Sequence, residues 1–501
     1  MTTFSSIDDI RPDNSSANRQ TSRAASFAAL NIHWDWKALL VLFTFQLIVH
    51  SSGSNEFATF ANILSAIYLL VVLLFSAWTI ARCDSNALWT PLFWIRVAGA
   101  VFLGVGGLTT NIANEETLRA MFAIIEFDAL HQLKVMMVQT VGIAFTLLFS
   151  SFFLRLQVKS ISSLETTYPV KPRTLTYAFW FLFVGIFLRY TVVLPVAFGL
   201  SPIVAGVVLT LANVYYVGLV LLAIYGAANR GRYFPLLFSL MAIDIFASLL
   251  TFSKRQVFLV LLLPSLGYLS RKFSAKKLTA VAIVMLVIFP FAQNLVEFGR
   301  AELNLISGNS LQGTFDQRLE ILSRYTTDTA QQTNITERQT ALLRLSYLDT
   351  DNFVIEQYDI GRPGNSYRNL FATFVPRFLW PNKPTITSTG IELYYAFTGQ
   401  SGSSFGTTLW AEAYWNFGWL GVLLMSVPIA LVFAIFSRIS LNIMRRQDWL
   451  LMPVVIIGLL IGTRVDGFFV ADIVGPGIIG FVFWKILTWS RRLTVHRSGQ
   501  I

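Results

Sequence analysis

Cysteine is almost missing. Cys83 stands alone, which excludes an internal disulfide framework and any multi-cysteine metal site. Charge is scarce too: Asp, Glu, Lys and Arg make up 13% of 501 residues, about half of the roughly 25% that a soluble globular chain carries. Three soluble domains of this total length could not be kept in water by so little charge. Histidine is limited to His33, His50, His131 and His496. No two of them form a helical His-x-x-x-His pair, and no Walker-type phosphate loop occurs. No Ser has a neighbouring His, so nucleophilic Ser or Cys catalysis has no apparatus. The first thirty-odd residues are rich in Ser, Asn, Thr and Arg and include Asp8, Asp9 and Asp13. They lack the apolar stretch of a signal peptide, and their acids are foreign to a transit peptide. Residues 1–36 read as a disordered cytoplasmic tail.

What fills the chain instead is apolar. Hydrophobic residues make up 54%, with 43 Phe and 13 Trp, and the mean hydropathy is +0.60. The net charge of +11 does not mark a nucleic-acid binder, because Lys and Arg fall in short clusters between apolar runs, as cytoplasmic loops require. The fold class is an all-α polytopic membrane protein. With about 20 apolar residues needed per crossing, twelve spans are expected near 38–53, 57–81, 88–108, 133–154, 175–198, 202–228, 234–252, 256–270, 278–296, 415–437, 449–465 and 469–490. Basic clusters follow the even-numbered spans: Arg155, Lys159, Lys171 and Arg173; Arg230 and Arg232; Arg271, Lys272, Lys276 and Lys277; Arg438, Arg445 and Arg446; Arg491 and Arg492. Both termini are therefore expected in the cytoplasm.

The domain plan follows. Residues 37–296 carry spans one to nine, and 297–414 form one large external loop. Residues 415–490 carry the last three spans, and 491–501 end the chain in the cytoplasm. The connection with Glu115, Glu116, Glu126 and Asp128 also falls outside. No internal repeat is visible, and the large loop sits late in the chain. A two-halved transporter would place its long connection centrally and show paired broken helices. The asymmetry suits a membrane-embedded transferase with an external docking segment. Within the loop, 314–325 and 336–345 read as helices and 361–390 as a Gly/Pro/Asn-rich stretch.

The charges that break the positive-inside pattern are the informative ones. Lys254 and Arg255 lie at the outer junction of spans seven and eight, and Arg300 follows span nine. Arg189 lies in the outer half of span five, Arg464 at the outer end of span eleven, and Arg377 and Lys383 in the loop's Pro-rich stretch. An ionisable group at membrane depth costs roughly 2.5–3.5 kcal/mol on insertion scales, so it lines a polar cavity or is paired. Basic residues from separate spans suit a polyanion at the outer bilayer surface; singly, each suits a helix end snorkelling to phosphate headgroups. Arg96 and Asp244, deeper in spans three and seven, read first as structural ion pairs or inter-helix contacts. Asp349-Thr-Asp351 has a spacing that can hold a metal–phosphate, but such triplets are common and it is not taken as a metal site.

Two motifs then carry a resemblance. Phe374-Val-Pro-Arg-Phe-Leu-Trp-Pro-Asn-Lys-Pro384 is followed by Thr408-Leu-Trp-Ala-Glu-Ala-Tyr-Trp-Asn-Phe-Gly-Trp-Leu-Gly421. Together they resemble Wzy-type O-antigen polymerases, the oligosaccharide repeat-unit polymerases of bacterial envelopes. The Ser253-Lys-Arg255 turn looks like the Gly-Ser-Arg turn of that wider group with two positions changed. The resemblance is confined to about 250–265 and 374–421; elsewhere it rests on span count and loop position.

The resemblance implies a GT-C-like, inverting, metal-independent glycosyltransferase in the bacterial inner membrane. It would join undecaprenyl-pyrophosphate-linked oligosaccharide repeat units into O-antigen, capsule or exopolysaccharide on the periplasmic face. No cofactor is implied; the implied partners are the lipid-linked glycan, a chain-length regulator, a flippase and the bilayer. Without a metal, Arg and Lys must stabilise the leaving pyrophosphate. Arg255 and Arg300 are the catalytic candidates, with Glu412 as proton acceptor. Lys254, Arg189, Arg377, Lys383, Tyr414 and Arg464 are candidates for substrate binding. An O-antigen ligase, a transporter of polysaccharide or lipid-linked sugar and a non-catalytic assembly scaffold are the alternatives; the absence of any His between His131 and His496 counts against the ligase.

Overall fold

The computed structural model describes residues 34–113, 128–158, 173–200, 208, 211–271, 273–307, 313–328, 342–375, 379–380, 388–399 and 404–498. Among them there is no strand, only one antiparallel bridge between Thr408 and Asp466. The protein is all-α, and seven of the described helices are long and apolar enough to cross a bilayer. In chain order the first nine helices are α1 (Trp34–Ser52), α2 (Asn55–Cys83), α3 (Pro91–Ile112), α4 (Ala129–Val158), α5 (Arg173–Ala197), α6 (Val214–Ala228), α7 (Phe234–Leu250), α8 (Lys254–Leu269) and α9 (Ala275–Ser307). Shorter helices follow, among them α10 (Phe315–Asp328), α11 (Leu348–Asp359) and α12 (Ser388–Thr398). The chain closes with α13 (Leu409–Arg446), α14 (Met452–Gly462) and α15 (Gly475–Ser498), the last entered through a π-helical turn, Phe469–Val474.

Helix α4 is central, packed along α13 on one side and α1 on the other, while α6 is sandwiched between α5 and α8. The α5–α6 contact is close because a small residue permits it. A Cβ at Gly185 would lie 2.4 Å from Tyr215 Cα, so the backbones meet as small-residue faces allow in lipid. That approach brings Arg189, one turn further along α5, over the rings of Tyr215 and Tyr216 at 5.6 and 5.2 Å.

The two deep charges are paired, and neither with the other. Arg96 meets Asp35 at 2.6 Å, and Ser76 also donates to Asp35. Asp35 is fully buried in the first turn of α1, so the ordered bundle reaches back into the 1–36 segment expected to be a tail. A buried guanidinium needs this carboxylate, which draws the start of α1 inward. Asp244 meets Arg189 at 2.5 Å.

Two long helices overlap the assigned ends of the expected loop 297–414. Helix α9 continues to Ser307, because Leu303 packs with Phe252, Leu295, Val296, Ile321 and Tyr325 in a small second core. At the other end, α13 starts at Leu409, with the Thr408 hydroxyl accepting from Ala411 N at 3.3 Å. The motif that follows is a docking device. Trp410 is completely buried and donates to Thr146 of α4 at 3.1 Å. Asn416 is tied to Ser366 through both its oxygen and its nitrogen. Helix geometry then breaks at Phe417 and Gly418, where Gly418 has φ 60° and a Cβ would lie 2.8 Å from the Tyr358 ring. Only glycine suits that left-handed position against α11.

Candidate functional site

A cavity of about 460 Å³ opens between α5, α6, α8, α14 and the π turn before α15. Three arginines line it, each from a different helix or helix end: Arg189, Arg255 and Arg464. Apolar side chains line it as well: Ile456, Ile457, Leu460 and Ile461 with Phe483. Guanidinium groups and apolar side chains in one cavity can take both an anionic group and an apolar one.

The three guanidinium groups are not equivalent. Arg189 is nearly buried, its Nε donating to Asp244 Oδ1 at 2.5 Å and its Nη2 to Gln256 Oε1 at 3.2 Å. It sits on a π-helical turn, Arg189–Val193, a feature that re-aims side chains and is frequent at functional sites. Arg464 faces two carboxylates, with Nε 3.4 Å from Asp472 Oδ1 and Nη1 3.8 Å from Asp466 Oδ2. Arg255 is exposed to the cavity and makes no hydrogen bond or ion pair with a described protein group. Of the three it is the one without a direct carboxylate partner.

Asp472 also lines this cavity. Its Oδ2 accepts from Phe468 N at 3.0 Å. Gly467, at φ 110°, leaves room for that carboxylate, since a Cβ there would lie 2.2 Å from the same oxygen. Asp466 accepts from the Tyr347 hydroxyl at 2.9 Å, and burial pushes that phenol well above its ordinary value. The rim is thereby tied to the segment before α11.

Other sequence candidates lie elsewhere. Lys254 turns onto α9, where its ammonium donates to Gln293 and sits 5.7 Å from the Phe289 ring; it lines no part of this cavity. Arg300 lines a second, smaller cavity next door. Glu412, the expected proton acceptor, is completely buried and does not line this cavity. Its Oε2 accepts from Phe469 N at 2.7 Å, and Oε1 has no partner among the described residues. Through that bond Glu412 holds the turn that carries Asp472. Tyr414 is also buried away from the cavity, donating to Asp359 at 3.0 Å beside Lys134. Arg377 and Lys383 lie outside the described residues.

Asp351 and Asp349 belong to α11. The carboxylate of Asp351 accepts from Thr407, from the backbone and side chain of Thr408 and from Gln139. It is a strut between α4 and the start of α13. Asp349 is buried, and that burial pushes its carboxyl up to about 7, with the neighbouring Asp351 adding to the rise.

Sequence reading overlooked Asp472, Gln256 and Tyr216. For Asp472 a signal existed: an acid inside the apolar run Phe468–Val474 is a functional candidate by default. Comparison with protein-family profiles, characterised proteins and solved structures returns no significant match.

Proposed function

We propose that the protein is a metal-independent, inverting polymerase of undecaprenyl-pyrophosphate-linked repeat units, a multi-pass protein of the bacterial inner membrane working on its periplasmic face. The observation that carries this reading is the convergence of Arg189, Arg255 and Arg464 from separate helices on one cavity with an apolar wall. The pyrophosphate lies against Arg255 and Arg464, and the prenyl chain runs along Ile456, Ile457 and Leu460. The acceptor hydroxyl oxygen attacks the anomeric carbon, and the bond from that carbon to the pyrophosphate oxygen breaks. Its electron pair leaves with the pyrophosphate. Asp472, the carboxylate at the cavity, takes the hydroxyl proton, and Glu412 holds the turn beneath it. Arginine suits the leaving group because its planar fork makes two charge-assisted bonds to one phosphate.

The same reading assigns twelve spans, α1 to α9 and α13 to α15, with α10 to α12 outside and both termini in the cytoplasm. The ion pair of Asp84 with Arg445 at 3.0 Å supports it, since it joins the ends of α2 and α13 at one face of the bundle. Reconstituted in lipid and supplied with the lipid-linked repeat unit, the protein should release undecaprenyl pyrophosphate and lengthen the glycan. Transfer onto an acceptor that bears no lipid pyrophosphate would make it a ligase. Movement of intact units across the bilayer without bond cleavage would make it a transporter.

A further inference from the structure

A guanidinium away from the main cavity ties α10 to the bundle. Arg318 of α10 is almost completely buried. Its Nη2 donates to the Ala197 carbonyl at 2.8 Å, its Nη1 to the Leu250 carbonyl at 3.1 Å and its Nε to the Gly313 carbonyl at 3.1 Å. Ala197 and Leu250 are the last residues of α5 and α7. The final carbonyls of a helix have no partner within it and carry partial negative charge, so one side chain of α10 caps two helices at once. The rings of Phe198 and Phe252 flank the same guanidinium at 5.9 and 5.6 Å.

With about 3.6 residues per turn, the side chains of α10 fall into three arcs. Arg318, Ile321 and Tyr325 make the first and are buried, the last two in the small core with Leu295 and Leu303 of α9. Phe315 and Leu319, one turn apart, make the second, and they remain 44% and 42% exposed. Asp316, Glu320, Ser323 and Arg324 make the third and are exposed, with Arg324 donating to Glu320 at 2.6 Å. Around its axis the helix therefore has a protein face, an apolar flank and a polar flank, in that order. A helix surrounded by water has no use for the apolar flank, and one sunk in hydrocarbon could not carry the polar one. Both flanks suit a helix lying in a membrane interface.

The neighbours of α10 carry the same pattern onward. Tyr325 packs by Phe291 of α9 at 6.1 Å, and Phe291 belongs with Val284 and Val287 to a stripe that α9 leaves exposed. On a helix long and apolar enough to cross a bilayer, an exposed apolar stripe at this spacing faces lipid. At the other end of α10, Phe315 meets Phe198 edge-on at 5.6 Å, and Leu200, two residues further on, is 78% exposed. The helix thus reaches from the end of α5 to the lipid-facing stripe of α9. We infer that Phe315 and Leu319 form a lipid-binding surface, which seats α10 in the interface of the leaflet where α5 and α7 end. This flank enters the acyl boundary, and Asp316, Glu320 and Arg324 lie among the headgroups. So seated, α10 keeps Arg318 on the carbonyls of Ala197 and Leu250. Ala197 lines the smaller cavity, so the bilayer steadies one of its walls.

The test uses the full-length protein in phosphatidylcholine nanodiscs, with Cys83→Ser removing the one native thiol. A nitroxide is attached to one position at a time through Phe315→Cys, Leu319→Cys, Asp316→Cys and Glu320→Cys. Spin relaxation is read with oxygen, which concentrates in hydrocarbon, and with a nickel chelate, which stays in water. The ratio of oxygen to nickel accessibility should be severalfold higher at positions 315 and 319 than at 316 and 320. Equal or reversed ratios would put the flank in water and overturn the inference. Protection of 315 and 319 from both reagents would overturn it as well, because protein would then cover the flank. Dipolar broadening between labels would identify that cover as a second copy, and its absence would leave another segment of the same chain. Where Phe315→Cys disturbs the contact with Phe198, Leu319→Cys carries the comparison alone.

Discussion

Arg189 Nε stands 2.5 Å from Asp244 Oδ1, with the carboxylate wholly buried and the guanidinium nearly so. The pair fastens α5 to α7 and fixes the wall from which both cavities are built. Removing one partner of a buried pair leaves the other uncompensated, at a cost of about 3–5 kcal/mol. Asp244→Ala should therefore lower the melting temperature in detergent sharply. Arg189→Leu with Asp244→Leu should recover much of the stability and none of the activity. An Asp244→Ala protein as stable as wild type would remove the pair from the structural framework.

Arg255 makes no direct ion pair in the main cavity, and its contacts with the pyrophosphate should strengthen as the leaving group gains charge. By analogy with a lost oxyanion donor, Arg255→Ala should cost about 10²–10³ in rate. Long polymer should disappear from a gel while single lipid-linked units accumulate. Arg255→Lys should rescue weakly because Lys lacks the fork. Lys254→Ala should do much less, since Lys254 is engaged on α9 with Gln293. A wild-type ladder from Arg255→Ala at matched protein level would place the pyrophosphate elsewhere.

Glu412 and Asp472 should separate in their effects. In Glu412→Gln an amide oxygen can still accept from Phe469 N, so turnover should fall by less than about tenfold, whereas Asp472→Asn should lose roughly 10²–10⁴-fold as a general base does. The acidic limb of the kcat/KM pH profile should vanish in Asp472→Asn and survive in Glu412→Gln. The opposite pattern would return the proton-accepting role to Glu412.

Asp349 sets a pH dependence of stability. Its carboxyl is raised to about 7 by burial, above its unfolded value, so the folded state holds the proton more tightly. Its contribution is fully present below the unfolded value, near 4, and is lost as pH rises through about 7. Asp349→Asn should therefore raise the melting temperature relative to wild type more at pH 8 than at pH 4. Equal differences at the two pH values would mean that Asp349 is not held protonated.

Sidedness can be checked with a single new thiol. Ile360 is exposed at the end of α11 and, unlike its neighbour Gly361 at φ 82°, does not need the left-handed backbone that favours glycine. In intact cells an impermeant thiol reagent should label Ile360→Cys and leave Cys83 untouched. Labelling of Cys83 alone would invert the topology and move the site to the cytoplasm.

The helices were legible because lipid imposes a simple rule: low charge and apolar runs of sufficient length leave little choice but helix. The charges that broke the positive-inside pattern were legible too, and Arg189, Arg255 and Arg464 were singled out from sequence before anything placed them together. Linear order could not reveal that Lys254 turns away from its neighbour, or that Asp35 leaves the expected tail to neutralise Arg96. Those choices depend on which helix faces which. The small residue at Gly185 and the π turns at 189–193 and 469–474 rotate side chains by amounts that hydropathy does not encode. Glu412 and Asp472 show the division most clearly. Each is an acid beside apolar residues, and only the packing of α13 against the turn before α15 buries one and puts the other at the cavity.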